Sequence, residues 1–145
     1  MGNMIRNALM GLMVAVAAAG CSKDTATSPS TVNVPFSTTD LRVGTGAEAA
    51  TGRAATVNYT LWLYNSAGTD NKGTLVQTSV GGSPFTFTVG TGVIPGFSQG
   101  VVGMKVGGLR RITIPPSLGY GSQGQPPSIP GNATLIFEIE LLAVQ

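Results

Sequence analysis

Ala55–Leu63 reads ATVNYTLWL and Ala133–Leu141 reads ATLIFEIEL. In the first, Ala55, Val57, Tyr59, Leu61 and Leu63 alternate with Thr56, Asn58 and Thr60; in the second, Ala133, Leu135, Phe137, Ile139 and Leu141 alternate with Thr134, Glu138 and Glu140. Neighbouring side chains of a strand point to opposite faces, so this period of two sets an apolar row on a core and a polar row in water. Working outward, Phe85, Phe87 and Val89 alternate with Thr86 and Thr88, and Ile112 and Ile114 flank Thr113. Leu41 and Val43 make a weaker first strand, and Leu75–Ser79 a further one. One place invites a helix. Pro95 suits a first helical position, and Phe97 and Val101 then share a face at i, i+4. Gly100 and Gly103 limit it to about two turns. The pattern predicts an α+β fold, a mostly antiparallel sheet with one short α-helix laid across it.

Composition agrees and excludes more. The chain has 145 residues with 21 glycines and 9 prolines, and only 10 % are charged. The roughly 25 % of an average soluble domain is far higher, which argues against a long helical protein or a disordered polyelectrolyte. With a net charge of +2 and no basic cluster beyond Arg110-Arg111, no nucleic-acid partner is expected. There is no histidine and a single cysteine, Cys21. That removes Ser-His-Asp and Cys-His catalysis, His-ligated metals, cysteine zinc sites and any intramolecular disulfide.

The amino-terminal part reads as an address. Arg6 supplies a short basic region, and Ala8–Ala19 is continuously apolar but too short to span a bilayer, which needs about 20 residues. Residues 1–20 are therefore expected to be an export signal. Ala17-Ala18-Ala19-Gly20 directly before Cys21 resembles the bacterial lipoprotein box, which implies that the Cys21 thiol is lipidated and begins the mature chain. Ser22 after it implies outer-membrane sorting facing the periplasm. The alternative is a secreted or soluble periplasmic protein with a free Cys21. Residues 21–39, rich in Ser, Thr, Ala, Pro and Asn, are expected to be a disordered tether, leaving residues 40–145 as the folded domain.

Two motif matches fail. Gly96-Phe97-Ser98-Gln99-Gly100 fits the G-x-S-x-G pattern, but the serine has no base and the context is not that of an α/β hydrolase. Gly90-Thr91-Gly92 with Gly96 mimics a dinucleotide fingerprint with the wrong spacing, an interrupting Pro95 and no acidic residue about 20 positions on. Charge placement says more. No ionisable Asp, Glu, Lys or Arg occurs from Gly73 to Met104 or from Ile112 to Phe137, stretches that hold most of the aromatics and the long loop Pro115–Gly131. A cleft built from them offers tyrosine hydroxyls, amides and backbone N–H groups, and no carboxylate, metal or cofactor ligand. Binding of an apolar ligand, or catalysis of a conformational change that moves no proton, remains.

Six blocks carry a family resemblance: TVNYTL (Thr56–Leu61), PFTF (Pro84–Phe87), VIPGFSQG (Val93–Gly100), VGMKVGG (Val102–Gly108), RRITIPPSLGY (Arg110–Tyr120) and IPGNATLIFEIELL (Ile129–Leu142). In this order, from about Asp40 onward, the chain resembles an FKBP-type peptidyl-prolyl cis-trans isomerase. The resemblance implies a curved antiparallel β-sheet wrapped around one short α-helix. It implies an active pocket of Tyr59, the Ile94 backbone N–H, Phe97 as floor and the Tyr120 hydroxyl. Val76, Gln77, Phe85, Val93, Ile129 and Phe137 would contact substrate. Phe87 reads as core. The implied substrates are proline-containing unfolded or flexible polypeptides in envelope proteins, with the family's macrolide inhibitors as further ligands, a membrane reached through the lipid anchor, and no cofactor or metal.

Three departures mark this chain. Val76-Gln77 stands where the family usually has Phe-Asp, Gln125 where a histidine is common, and the loop before Val76 is longer than in the shortest relatives. Gln77 could still hydrogen-bond Tyr59. The rival expectation is a non-catalytic chaperone or binding module of the same fold with an eroded site.

Overall fold

A computed structural model describes residues 34–145; the segment expected to be an export signal, Cys21 and the expected tether as far as residue 33 lie outside the described residues. The elements are β1 (Ser37–Arg42), β2 (Ala54–Tyr64), β3 (Lys72–Thr78), β4 (Phe85–Thr88), α1 (Pro95–Val101), β5 (Leu109–Ile114) and β6 (Leu135–Val144). They form one antiparallel sheet in the order β1-β5-β6-β2-β3, with β4 also on β2. β2 is long enough to serve two neighbours on one edge. Its Ala54–Val57 half pairs with β4, and its Thr60–Tyr64 half pairs with β3.

The two alternating stretches become the centre of this sheet. Tyr59 lies opposite Ile139, Leu61 opposite Phe137, and Phe137 in turn opposite Ile112. One face therefore gathers Ala55, Val57, Leu61, Ile112, Ile114, Leu135, Phe137, Ile139 and Leu141, all buried. Such rows of aliphatic and aromatic side chains supply about 1.5–3 kcal/mol for each large residue fully removed from water. Ile136, on the opposite face, is buried as well, between Trp62 and Thr113 in the register.

α1 starts at Pro95 as expected and buries Phe97 and Val101. It lies unusually close to β5. A Cβ on Gly96 would sit 2.5 Å from the Ile114 side chain, and one on Gly100 would sit 2.2 Å from Ile112. The helix thus trades helix propensity, about 1 kcal/mol per glycine, for close approach to the sheet. Arg110 ties down its far end. The guanidinium donates to the carbonyls of Gly100 (2.9 Å) and Val102 (3.1 Å) and pairs with the Asp40 carboxylate.

Three elements differ from their sequence reading. β1 runs over Ser37–Arg42 rather than around Leu41 and Val43, so it takes in three residues assigned to the tether, and Phe36 packs against the core. Val43 lies past its end, 74 % exposed. This edge strand carries no buried side chain; backbone pairing with β5 and the Asp40–Arg110 and Arg42–Glu140 ion pairs hold it. β3 begins at Lys72, not Leu75, because the polar tip closes earlier, with Asp70 and Asn71 in the left-handed region. There Lys72, Glu138, Arg111 and Asp70 form a chain of ion pairs, and the Lys72 ammonium stands 4.2 Å over the Trp62 ring. The loop Pro115–Gly131 contains a short 3-10 turn at Pro116–Leu118 and a bridge between Gln125 and Ile129.

Candidate active site

The aromatic residues of β2, β4, α1 and β6 converge. The Phe97 ring lies at 5.1 Å from Phe137, 5.1 Å from Phe87, 6.0 Å from Tyr59 and 6.2 Å from Phe85, each edge to face. Edge-to-face pairs set the positive rim of one ring on the negative face of the next, each pair adding about 0.5–1.5 kcal/mol to area burial. Phe97 is the hub because α1 drops it into the apolar face of the sheet. Above it opens a cavity of about 190 Å³ walled by Tyr59, Phe85, Val93, Ile94, Tyr120 and Phe137, with Gln77 on the rim.

Eight of the ten residues expected around the pocket therefore line one cavity: Tyr59, Gln77, Phe85, Val93, Ile94, Phe97, Tyr120 and Phe137. Val76 and Ile129 do not. They line an adjoining hollow of about 300 Å³ with Gln125, Pro126 and Ser128, joined to the first through Gln77. Val76 is the extra residue at a register irregularity of β3, between the Gln77–Leu61 and Leu75–Trp62 pairs, and it packs against the core. Ile129 is buried beneath the loop. Two lining residues were not in the expected set, Leu61 and Gly92. Leu61 was findable, since it follows Tyr59 by two positions on one strand face. Gly92 lines the wall with backbone alone and left no side-chain signal. Phe87 is core, as expected, at 7 % exposure.

No lining residue of the main cavity is charged. Its polar handles are two phenols, the Gln77 amide and backbone groups. Burial pushes the Tyr120 hydroxyl above its ordinary pKa; burial and then the neighbouring Tyr120 do the same for Tyr59. Both stay neutral donors through the physiological range. Among the described residues Gln77 makes no hydrogen bond to Tyr59; the Tyr59 backbone instead exchanges bonds with Ser79 and Thr78. The Ile94 carbonyl accepts the N–H groups of Phe97 (3.0 Å) and Ser98 (3.4 Å), while its own N–H has no partner among the described residues. A charge-free hollow whose donors are unengaged among the described residues fits a bound amide carbonyl.

Known proteins resemble this chain in sequence and in fold. The FK506-binding protein of Neisseria meningitidis serogroup A is 47 % identical over 106 residues, which is 72 % of this chain and 92 % of that protein. The FK506-binding protein 4 of Rhizopus delemar is 41 % identical over 107 residues, 73 % of this chain but 26 % of that longer protein. Among solved structures, AtFKBP13 superposes with a TM-score of 0.65 at 32 % identity, covering 76 % of this chain and 93 % of that one. FkpA from Escherichia coli gives 0.65 at 35 % identity, covering 76 % of this chain and 48 % of its own. The family profile described as FKBP-type peptidyl-prolyl cis-trans isomerase matches residues 46–142. The fold, the order of its blocks and these matches agree: the chain belongs to the FKBP-type peptidyl-prolyl cis-trans isomerases.

Proposed function

We propose that this isomerase acts on Xaa-Pro bonds of envelope proteins through the charge-free cavity over Phe97, using no acid, base or covalent step. The convergence of Tyr59, Ile94, Phe97 and Tyr120 on one hollow carries this reading. Rotation about a peptide bond loses resonance and faces a barrier of about 18–20 kcal/mol, so uncatalysed Xaa-Pro bonds take about 10–100 s to turn over. A planar amide is more polar than a twisted one and is better solvated by water. An apolar cavity removes that preference, and its shape favours the twisted form. Every ~1.36 kcal/mol so gained is tenfold in rate. The proline ring would rest on Phe97, with the preceding carbonyl held by the Ile94 N–H and a second carbonyl by Tyr120.

Isomerisation of a short Xaa-Pro peptide tests this, with wild type set against Tyr120→Phe and Phe97→Ala. No acceleration by wild type would defeat it and leave the rival, a chaperone or binding module. The Val76-Gln77 pair, which stands where the family usually has an aromatic and a carboxylate, is the feature that favours that rival. The relatives named FK506-binding protein support macrolide binding at the same cavity, which calorimetric titration would measure. Lipidation of Cys21 and an outer-membrane site facing the periplasm complete the proposal, supported by the lipoprotein-like sequence before Cys21. Mass spectrometry of the membrane-extracted protein should find acyl chains on Cys21; an unmodified soluble form would refute it.

A further inference from the structure

The segment Gly96–Gly100, which fits a nucleophile pattern without a base, carries the one buried polar side chain among the described residues, Ser98 at 7 % exposure. The mechanism above gives it nothing to do. Its contacts are specific. The Ser98 hydroxyl oxygen accepts the Gly90 N–H at 3.1 Å, and the Ser98 backbone N–H donates to the Ile94 carbonyl at 3.4 Å.

Gly90 and Ile94 are the two ends of the segment that forms one wall of the cavity, with Gly92, Val93 and Ile94 on its lining. Gly90 and Gly92 hold φ of 102° and 79°, conformations in which glycine alone is at ease, so the wall contains two of the chain's most permissive joints. One residue of α1 grips both ends of it. We infer that Ser98 is a positioning residue: it holds in place the wall segment that presents the Ile94 N–H to the cavity, from beside Phe97 on the helix. The other two glycines of the pattern serve the same end, since Gly96 and Gly100 seat the helix on Ile114 and Ile112. The G-x-S-x-G match is a scaffold for a hydrogen-bond donor, not a nucleophile. The inference rests on the reading of the cavity as the isomerase site.

Ser98→Ala removes the acceptor for Gly90 and leaves the backbone bond to Ile94. The Ile94 donor holds substrate in ground and transition state alike, so its loosening raises KM by about tenfold with kcat little changed. A merely structural role would lower apparent kcat with the folded fraction and leave KM alone. Ser98→Thr, which keeps the oxygen, is expected to restore KM. In NMR of the full chain, the Gly90–Ile94 amides of Ser98→Ala should broaden by exchange while those of β6 stay sharp. Should Ser98→Ala not fold, Ser98→Cys, near-isosteric with a weak sulfur acceptor, is read in the same way. An unchanged KM, or equally sharp Gly90–Ile94 amides, overturns the inference. An inactive wild type defeats the isomerase reading separately, and the amide comparison still decides what Ser98 does.

Discussion

Arg110→Met is expected to cost about 2–4 kcal/mol of domain stability. Arg110 shares the apolar face of β5 with Ile112 and Ile114, and its side chain is only 14 % exposed. Methionine keeps the apolar stem and loses every donor. Gly100 and Val102 then lose the guanidinium that closes the end of α1, at 2.9 Å and 3.1 Å. A hydrogen bond from a charged group is worth about 1.5–3 kcal/mol. Gly100 is buried and forfeits most of that, whereas Val102 is exposed and water replaces much of its share. Asp40, 44 % exposed, returns to solvent at little cost. Asp40→Asn is therefore the control: it breaks the ion pair, leaves the cap intact, and should cost about 1 kcal/mol or less. Urea denaturation reads both as midpoint shifts at constant slope. The double variant should match Arg110→Met within about 0.5 kcal/mol. If Arg110→Met costs no more than Asp40→Asn, the helix is not held by this cap and the reasoning fails.

Gly100→Ala places a methyl 2.2 Å from the Ile112 Cδ1, so overpacking of about 1–3 kcal/mol should outweigh up to about 1 kcal/mol of helix propensity. Adding Ile112→Val, which removes the colliding carbon, should recover part of the loss in the same denaturation assay. Phe97→Ala deletes the ring shared by four aromatic neighbours; a loss of about 3–5 kcal/mol is expected alongside a fall in kcat/KM of more than about tenfold. The pH dependence follows from the raised Tyr59 and Tyr120 pKa values. A phenol whose folded pKa is raised keeps its stabilising neutral form below the unfolded value and loses it as pH climbs through the folded one. Both lie above the ordinary 10.0, so kcat/KM and stability should show no inflection from these groups between about pH 6 and 9. A titration inside that window would show that another group governs the rate.

Most of the sheet was legible because β2 and β6 bury one face each, and burial of one face writes a period of two into the chain. α1 was legible from Pro95 and the Phe97–Val101 pair. β1 was not, since an edge strand exposed along its whole length needs no apolar row; its anchors are Asp40 and Arg42, whose ion partners lie 70 and 98 positions away. Arg110-Arg111 looked like one small basic cluster. In the sheet the two point to opposite faces, one capping a helix and the other pairing with Glu138 and Asp70. The pocket residues came from the family resemblance and largely share one cavity. Val76 and Ile129 fell outside it because Val76 sits at a register irregularity of β3 and Ile129 is buried in the long loop, distinctions that residue identity alone does not carry. The Gly96–Gly100 match was set aside as a nucleophile site on sequence alone, but the contact Ser98 makes was not legible there, because it depends on the fold bringing Gly90 to it.

The absence of ions from the walls of the main cavity has a bearing on which clients this protein can serve. A lining of rings, aliphatics and a neutral amide neither draws in nor turns away a polypeptide on account of its sign. Acidic and basic segments around a proline should be processed at similar rates, and added salt should change those rates little. Within the cavity, discrimination is left to girth and flexibility.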